Sequence, residues 1–179
     1  MANLQQFQAK ICYTAAGILI HDRKILLVQH KKLGIWLAPG GHMEENELPH
    51  CAAEREFFEE AGIKVRAISE HLPDTNETEK LPNPFLTDLH WVSEENYKKR
   101  LASSTPEKRV ESQKWSRGCE QHICFLYMVE ARDSVVYTIS SESTNIGWFS
   151  EPEIDELKTL KNIKEEIHMA FSISKKDKQ

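Results

Sequence analysis

The segment Pro49–Gly62 constrains this chain more than any other. Proline suits the first turn of a helix, Ala52 and Ala53 are good helix formers, and Gly62 stands where a C′ glycine ends one. On a wheel of about 100° per residue, Ala53, Phe57, Ala61 and Phe58 share one arc, and Glu56, Glu59 and Glu60 gather opposite. The apolar arc faces a core. The acidic arc is costly: Glu56 repels Glu60 at i,i+4 and Glu59 at i,i+3, each pair by about 0.2–0.5 kcal/mol. The helix dipole also disfavours negative charge in the C-terminal half. One reading is a solvated acidic face; the other is a face that holds a cation. Carboxylates with no histidine-cysteine pattern beside them select a hard ion such as Mg2+ or Mn2+. Pro39-Gly40-Gly41 favours the second reading, because backbone without a Cβ lets a carbonyl or amide approach a metal or phosphate closely.

Charge is concentrated in this region. The 179 residues carry a formal net charge of −5, yet Gly41–Ile63 alone holds seven glutamates and one arginine, leaving the remainder close to neutral. Overall acidity argues against general nucleic-acid binding. At 40% hydrophobic and 28% charged residues the composition is that of a globular protein, and the length suits one domain, residues 1–179. No apolar run approaches the roughly 18 residues of a membrane span. The N-terminus has no secretion-signal pattern. Cys12, Cys51, Cys119 and Cys124 lack a regular spacing, which points to reduced thiols in a cytoplasm.

Along the chain, Ile11–Ile20 and Ile25–Val28 read as a hairpin around His21–Lys24, and residues 31–41 as a loop. Strands are expected over 63–68, 85–92, 122–131, 135–139 and 146–149, with a polar loop over Pro73–Pro84. A polar insertion occupies about 93–118, with seven basic and four acidic residues, and Ser93 caps a short helix to Leu101. Leu157, Leu160, Ile163, Ile167 and Phe171 recur at helical spacing, which predicts one amphipathic helix over 154–171.

Taken as one unit, Gly41, five residues, Glu47, seven residues, then Arg55-Glu56-Phe57-Phe58-Glu59-Glu60-Ala61-Gly62-Ile63 resembles the Nudix box, the signature of the Nudix hydrolase superfamily. Trp36-Leu37-Ala38-Pro39-Gly40-Gly41-His42 is similar to the usual approach to that box. The one departure is Phe57, at a place usually aliphatic. The resemblance implies an α/β fold, an α/β/α sandwich with a mixed β-sheet. It implies hydrolysis of a pyrophosphate bond in a nucleoside diphosphate linked to another moiety, or in a nucleoside triphosphate. Position by position, Glu56, Glu59 and Glu60 would ligate Mg2+ or Mn2+ with help from the Gly40 carbonyl, and Glu47, Arg55 and Gly41 would support them. Glu59, Arg55 and Glu142 are the catalytic candidates. Glu142, ahead of Trp148, resembles a general base outside the box; Glu120, Glu111 and Glu59 are alternatives. The resemblance also admits a homodimer.

Substrate-binding residues are not assigned. His30, Lys31 and Lys32 are candidates for phosphate contact, against a solvated loop. Trp91, Phe85 and Trp115 read first as core residues and second as platforms for a base. Pro73 and Pro82 match no substrate-specific pattern. Cys119, His122 and Cys124 lack a fourth ligand for a soft metal. Two rivals stand: a catalytically silent nucleotide-binding or regulatory module, which has no need of three mutually repelling glutamates, and an isoprenoid diphosphate isomerase, which needs a cysteine and an acid beside the metal.

Overall fold

A computed structural model describes residues 8–69 and 77–176. The chain opens with β1 (Ile11–His21) and β2 (Lys24–His30), antiparallel and joined by Asp22-Arg23, both left-handed at φ 46° and 61°. That is the turn whose twist matches a hairpin. The polar stretch that follows is not all loop: β3 (Trp36–Leu37) adds to β2, and β4 (Gly40–His42) adds to β1. After α1 (Pro49–Ala61) come β5 (Val65–Ile68), β6 (Leu86–Trp91), α2 (Glu94–Leu101), β7 (Gln121–Ala131) and β8 (Ser143–Ser150). The last elements are α3 (Glu151–Ile154) and α4 (Lys161–Lys176).

The sheet is mixed. β7 runs parallel to β1, from Ile11 opposite Gln121 to Leu19 opposite Val129, and the other pairings are antiparallel. Period-2 alternation sorts side chains onto its two faces. Ala15, Leu19, Leu26, Val28, Tyr127 and Val129 pack with Ala53, Phe57 and Ala61 of α1, whereas Ile18, Ile25 and Leu27 pack with Ile154, Ile167 and Phe171. The result is the expected sandwich. Gly17 explains how Phe57 is accommodated: a Cβ there would lie 2.8 Å from the Phe57 ring, so the ring fills the space glycine leaves.

The helix α1 ends as its sequence dictates. Gly62 is left-handed at φ 70°, and its N–H donates to Phe58 O.

Two expected elements differ. Val135–Ile139 forms no strand; Val136 is 77% exposed, and the segment's backbone tie is Thr138 N–H to Ala61 O at 2.8 Å, which caps α1. The terminal helix is split. Trp36 N–H donates to Lys158 O and Thr159 Oγ1 to Trp36 O, so β3 holds residues 158–159 out of the helix, and Leu160 is exposed. Ser93 does cap α2, accepting from Asn96 N–H. Part of the Pro73–Pro84 loop, including Pro73, lies outside the described residues. Among the described residues, no helix is long and apolar enough to cross a membrane.

Candidate metal and hydrolytic site

Arg55 organises the acidic face from inside it. Its Nε and Nη2 bind the two Glu47 oxygens, each at 2.8 Å, and its Nη1 reaches Glu56 Oε1 at 2.9 Å and Glu59 Oε2 at 3.2 Å. The remaining Nη2 proton goes to His42 O at 3.1 Å. All five guanidinium donors are thereby used, in the forked geometry that suits carboxylates. Its hydrogen bonds hold Glu47 below the usual carboxylate range. No Arg55 donor is left over for a substrate in this arrangement.

Around it, Glu56, Glu59, Glu60 and Glu142 line one cleft of about 530 Å³. Glu60 is only 5% exposed, and its Oε2 accepts from Gly40 N–H at 3.1 Å. Burial pushes its carboxyl up to about 7 against the pull of that N–H, with Glu56, Glu142 and Glu59 adding to the rise. Burial likewise raises Glu56, opposed by Arg55. Crowded, partly desolvated carboxylates of this kind gain most from a cation. An all-oxygen donor set fits Mg2+ or Mn2+. Gly41 makes the approach of Glu56 feasible, since a Cβ there would stand 2.5 Å from the Glu56 carboxylate. At Gly40 the amide, paired against Ala16 of β1, is the group that engages the cluster.

Glu142 enters the cleft from the loop ahead of β8, and its own carbonyl accepts from Lys31 N–H. The alternatives for a base separate clearly. Glu120 is fully buried, paired to Arg100 Nε and Nη2, and also accepts from Lys10 N–H at 2.8 Å, so it is structural. Glu111 is exposed and does not line the cleft.

Basic residues also line the cleft, a basic wall that residue-by-residue reading of the sequence did not bring out. Lys114, Trp115 and Arg117, from the polar segment 93–118, line it together with the carboxylates, as do His30 and Lys32. That segment is anchored: Arg100 is 1% exposed and also donates to Gln8 O and Pro106 O, and Arg109 donates to Ile11 O. Its excess of basic residues was the available signal. Two backbone N–H groups, of Lys32 and Leu33, donate to His30 Nδ1. This fixes Nδ1 as the acceptor and leaves Nε2 as the donor nitrogen.

Of the three aromatic candidates, Trp115 lies on the cleft with Lys114 Nζ 5.3 Å from its ring centroid. Trp91 instead packs against Tyr97, and Phe85 joins the core on the α4 side. Cys119 also borders the cleft. Its thiol is pushed up to about 11 by burial and by contact with Cys12, so it is no ready nucleophile, which counts against the isomerase.

The sequence matches the family model described as NUDIX domain over residues 13–171. An uncharacterized Nudix hydrolase of Bacillus subtilis (strain 168), YvcI, is 44% identical over 48 residues; the match spans 27% of this chain and 30% of the length of that curated relative. The crystal structure of a NUDIX-family hydrolase from Clostridium perfringens superposes with a TM-score of 0.65 at 25% identity, covering 90% of this chain and 96% of the other. The MutT protein of Methanosarcina mazei Go1 shares the fold, with a TM-score of 0.62 at 14% identity over 94% and 98% of the two chains.

Proposed function

The chain belongs to the Nudix family, whose domain spans residues 13–171, and from that premise we propose that it is a divalent-metal-dependent pyrophosphohydrolase. Its substrate would be a nucleoside diphosphate linked to another moiety, or a nucleoside triphosphate. The observation that carries this reading is one cleft lined both by the carboxylates of Glu44, Glu56, Glu59, Glu60 and Glu142 and by the basic side chains of Lys32, Lys114 and Arg117.

A pyrophosphate is repelled by bare carboxylates, so the acidic wall is a holder of cations and the basic wall a holder of phosphate oxygens. Glu56, Glu59 and Glu60, with the Gly40 carbonyl, would hold Mg2+ or Mn2+, which when bound neutralises developing charge and acidifies a water. Arg55 and Glu47 keep Glu56 and Glu59 in place before substrate arrives. Glu142 is proposed as the general base, with Glu59 as the second candidate. Trp115 offers its ring face to a base. The same reading takes residues 1–179 as one domain in a cytoplasm that keeps its four free cysteines reduced, and admits a homodimer.

The deciding experiment supplies Mg2+ and a panel of nucleotide sugars, ADP-ribose, dinucleoside polyphosphates, NADH and nucleoside triphosphates, and follows phosphate products. Turnover of at least one, lowered by orders of magnitude in Glu59→Gln and Glu60→Gln with the fold intact, supports the reading. No turnover on any of them would leave the nucleotide-binding module in its place.

A further inference from the structure

The parallel pairing of β1 and β7 does something that no spacing in the sequence announces. It sets Cys12 opposite His122, while β4, pairing on the other edge of β1, brings His42 to the same spot, and Cys119 arrives two residues before β7. One ligand atom from each of Cys12, His42, Cys119 and His122 lies within 4.8 Å of all the others. Cys12 Sγ is 3.4 Å from Cys119 Sγ, and His42 Nε2 is 3.3 Å from Cys119 Sγ. The fourth ligand missing from the sequence reading of Cys119, His122 and Cys124 is thus supplied from elsewhere, and Cys124 is not part of the group.

The geometry points to a tetrahedral Zn2+ site made by Cys12, Cys119, His42 and His122, formed from other residues than the carboxylate site but bordering the same cleft at His42 and Cys119, and anchoring the basic wall of the cleft. Two thiolates and two imidazoles are a donor set for a borderline-soft ion and a poor one for Mg2+. The dimensions are close: zinc bonds of about 2.3 Å to sulfur and about 2.0 Å to nitrogen place tetrahedral ligand atoms roughly 3.3–3.8 Å apart, against 3.4 and 3.3 Å for two pairs and at most 4.8 Å for the others, so closure on the ion needs movements of about 1 Å or less.

Three further observations favour a metal over simple packing. His122 Nε2 is buried without a hydrogen-bond partner among the described residues, a cost that a metal bond removes. Arg109 Nη1 stands 3.0 Å from Cys12 Sγ, the kind of outer donor that stabilises a ligating thiolate. The positions are also preorganised: three ligands sit on paired strands, and Asn96 Nδ2 holds the Cys119 carbonyl at 3.3 Å. A Cys12–Cys119 disulfide is the competing use of the same sulfurs, but it would leave both imidazoles without a role.

Binding would release the two thiol protons and join β1, β4 and β7 to the end of segment 93–118. Lys114, Trp115 and Arg117, which precede Cys119, would then be held at the rim of the cleft.

The test uses the full chain, reduced, stripped of metal with a chelator, and titrated with Co2+ and then Zn2+ in excess Mg2+. One equivalent of Co2+ should produce thiolate-to-cobalt charge transfer and the strong visible bands of a tetrahedral site, and Zn2+ should displace it. Cys12→Ser, Cys119→Ser and His122→Ala should lose the bands; Cys51→Ser, Cys124→Ser and Glu60→Gln should keep them. As a check independent of any variant's folding, Zn2+ should slow alkylation of Cys12 and Cys119 in the unmutated protein at least tenfold. The inference is overturned if reduced protein gives no thiolate band, if Cys12→Ser retains it, if Zn2+ leaves alkylation unchanged, or if mass analysis finds a Cys12–Cys119 disulfide in the purified protein.

Discussion

Adding one methyl group at either of two adjacent glycines should separate stability from metal binding. In Gly41→Ala the new Cβ would lie 2.5 Å from Glu56 Cδ and Oε2 and 2.6 Å from Oε1. An ordinary contact needs about 3.4 Å or more, so the carboxylate must retreat by about 0.9 Å. That end of the side chain can move, at the expense of the 2.9 Å bond from Arg55 Nη1, so the fold should survive. A displacement of about 1 Å at a positioned ligand is enough for a loss of roughly 10- to 100-fold in metal affinity or rate.

Gly40→Ala places its Cβ 2.5 Å from Ala16 Cβ and 2.6 Å from Ala15 O, in the body of β1, where nothing flexible can yield. Overpacking there should cost about 1–3 kcal/mol. At roughly 2–4 °C per kcal/mol for a chain of this size, the melting temperature should fall by about 2–12 °C. The assay is thermal melting beside hydrolysis at graded Mg2+. Gly41→Ala should melt within a few degrees of the unmutated protein and require more Mg2+; Gly40→Ala should melt early. A Gly41→Ala protein with an unchanged Mg2+ requirement would refute the assignment of Glu56 as a ligand.

Three more outcomes follow from the same structure. Burial lifts Glu60 to about 7, so the metal-free native state holds a proton that the unfolded chain has released. Stability from this group therefore falls as pH rises from about 4.5 through 7, and the Mg2+-induced gain in melting temperature grows over the same range; Glu60→Gln should flatten both, read by melting curves with and without Mg2+. Glu120→Gln would leave Arg100 buried without its counter-charge, at a cost of about 3–5 kcal/mol, or roughly 6–20 °C in melting temperature. Trp115→Ala should raise KM for nucleotide substrates roughly 2- to 10-fold with little change in kcat, as loss of one stacking contact would.

What the sequence made legible follows the range of the interactions concerned. Helix α1 was readable to within a residue because Pro49 and Gly62 act locally, and the β1–β2 hairpin because its two apolar runs flank a short polar turn. Val135–Ile139 carries the apolar, β-branched residues of a strand, but whether a sheet edge awaits them is decided elsewhere, and what awaits is the end of α1. The terminal helix shows the reverse: unbroken periodicity in the chain, interrupted by Trp36 more than 120 residues away. The carboxylates were legible because they share one helix. The basic wall was not, because Lys32 and Lys114 meet only after β1, β2 and β7 have paired. Glu120, an alternative to Glu142 as the base in the sequence, proved to be buried against Arg100.

The five donors of Arg55 bear on the order in which the protein comes together. Many metal centres are cavities that exist only once the ion has arrived, because nothing else holds their ligands against mutual repulsion. Here the guanidinium stands in that role from the start, linking Glu47, Glu56, Glu59 and the His42 carbonyl into one cross-braced unit as soon as α1 meets β4. Under the proposed function, synthesis and folding of the acidic helix would therefore run to completion without free Mg2+, and the ion would be taken up afterwards by a site already shaped. Lysine, with three donors on one nitrogen, could not brace four acceptor groups that lie in different directions.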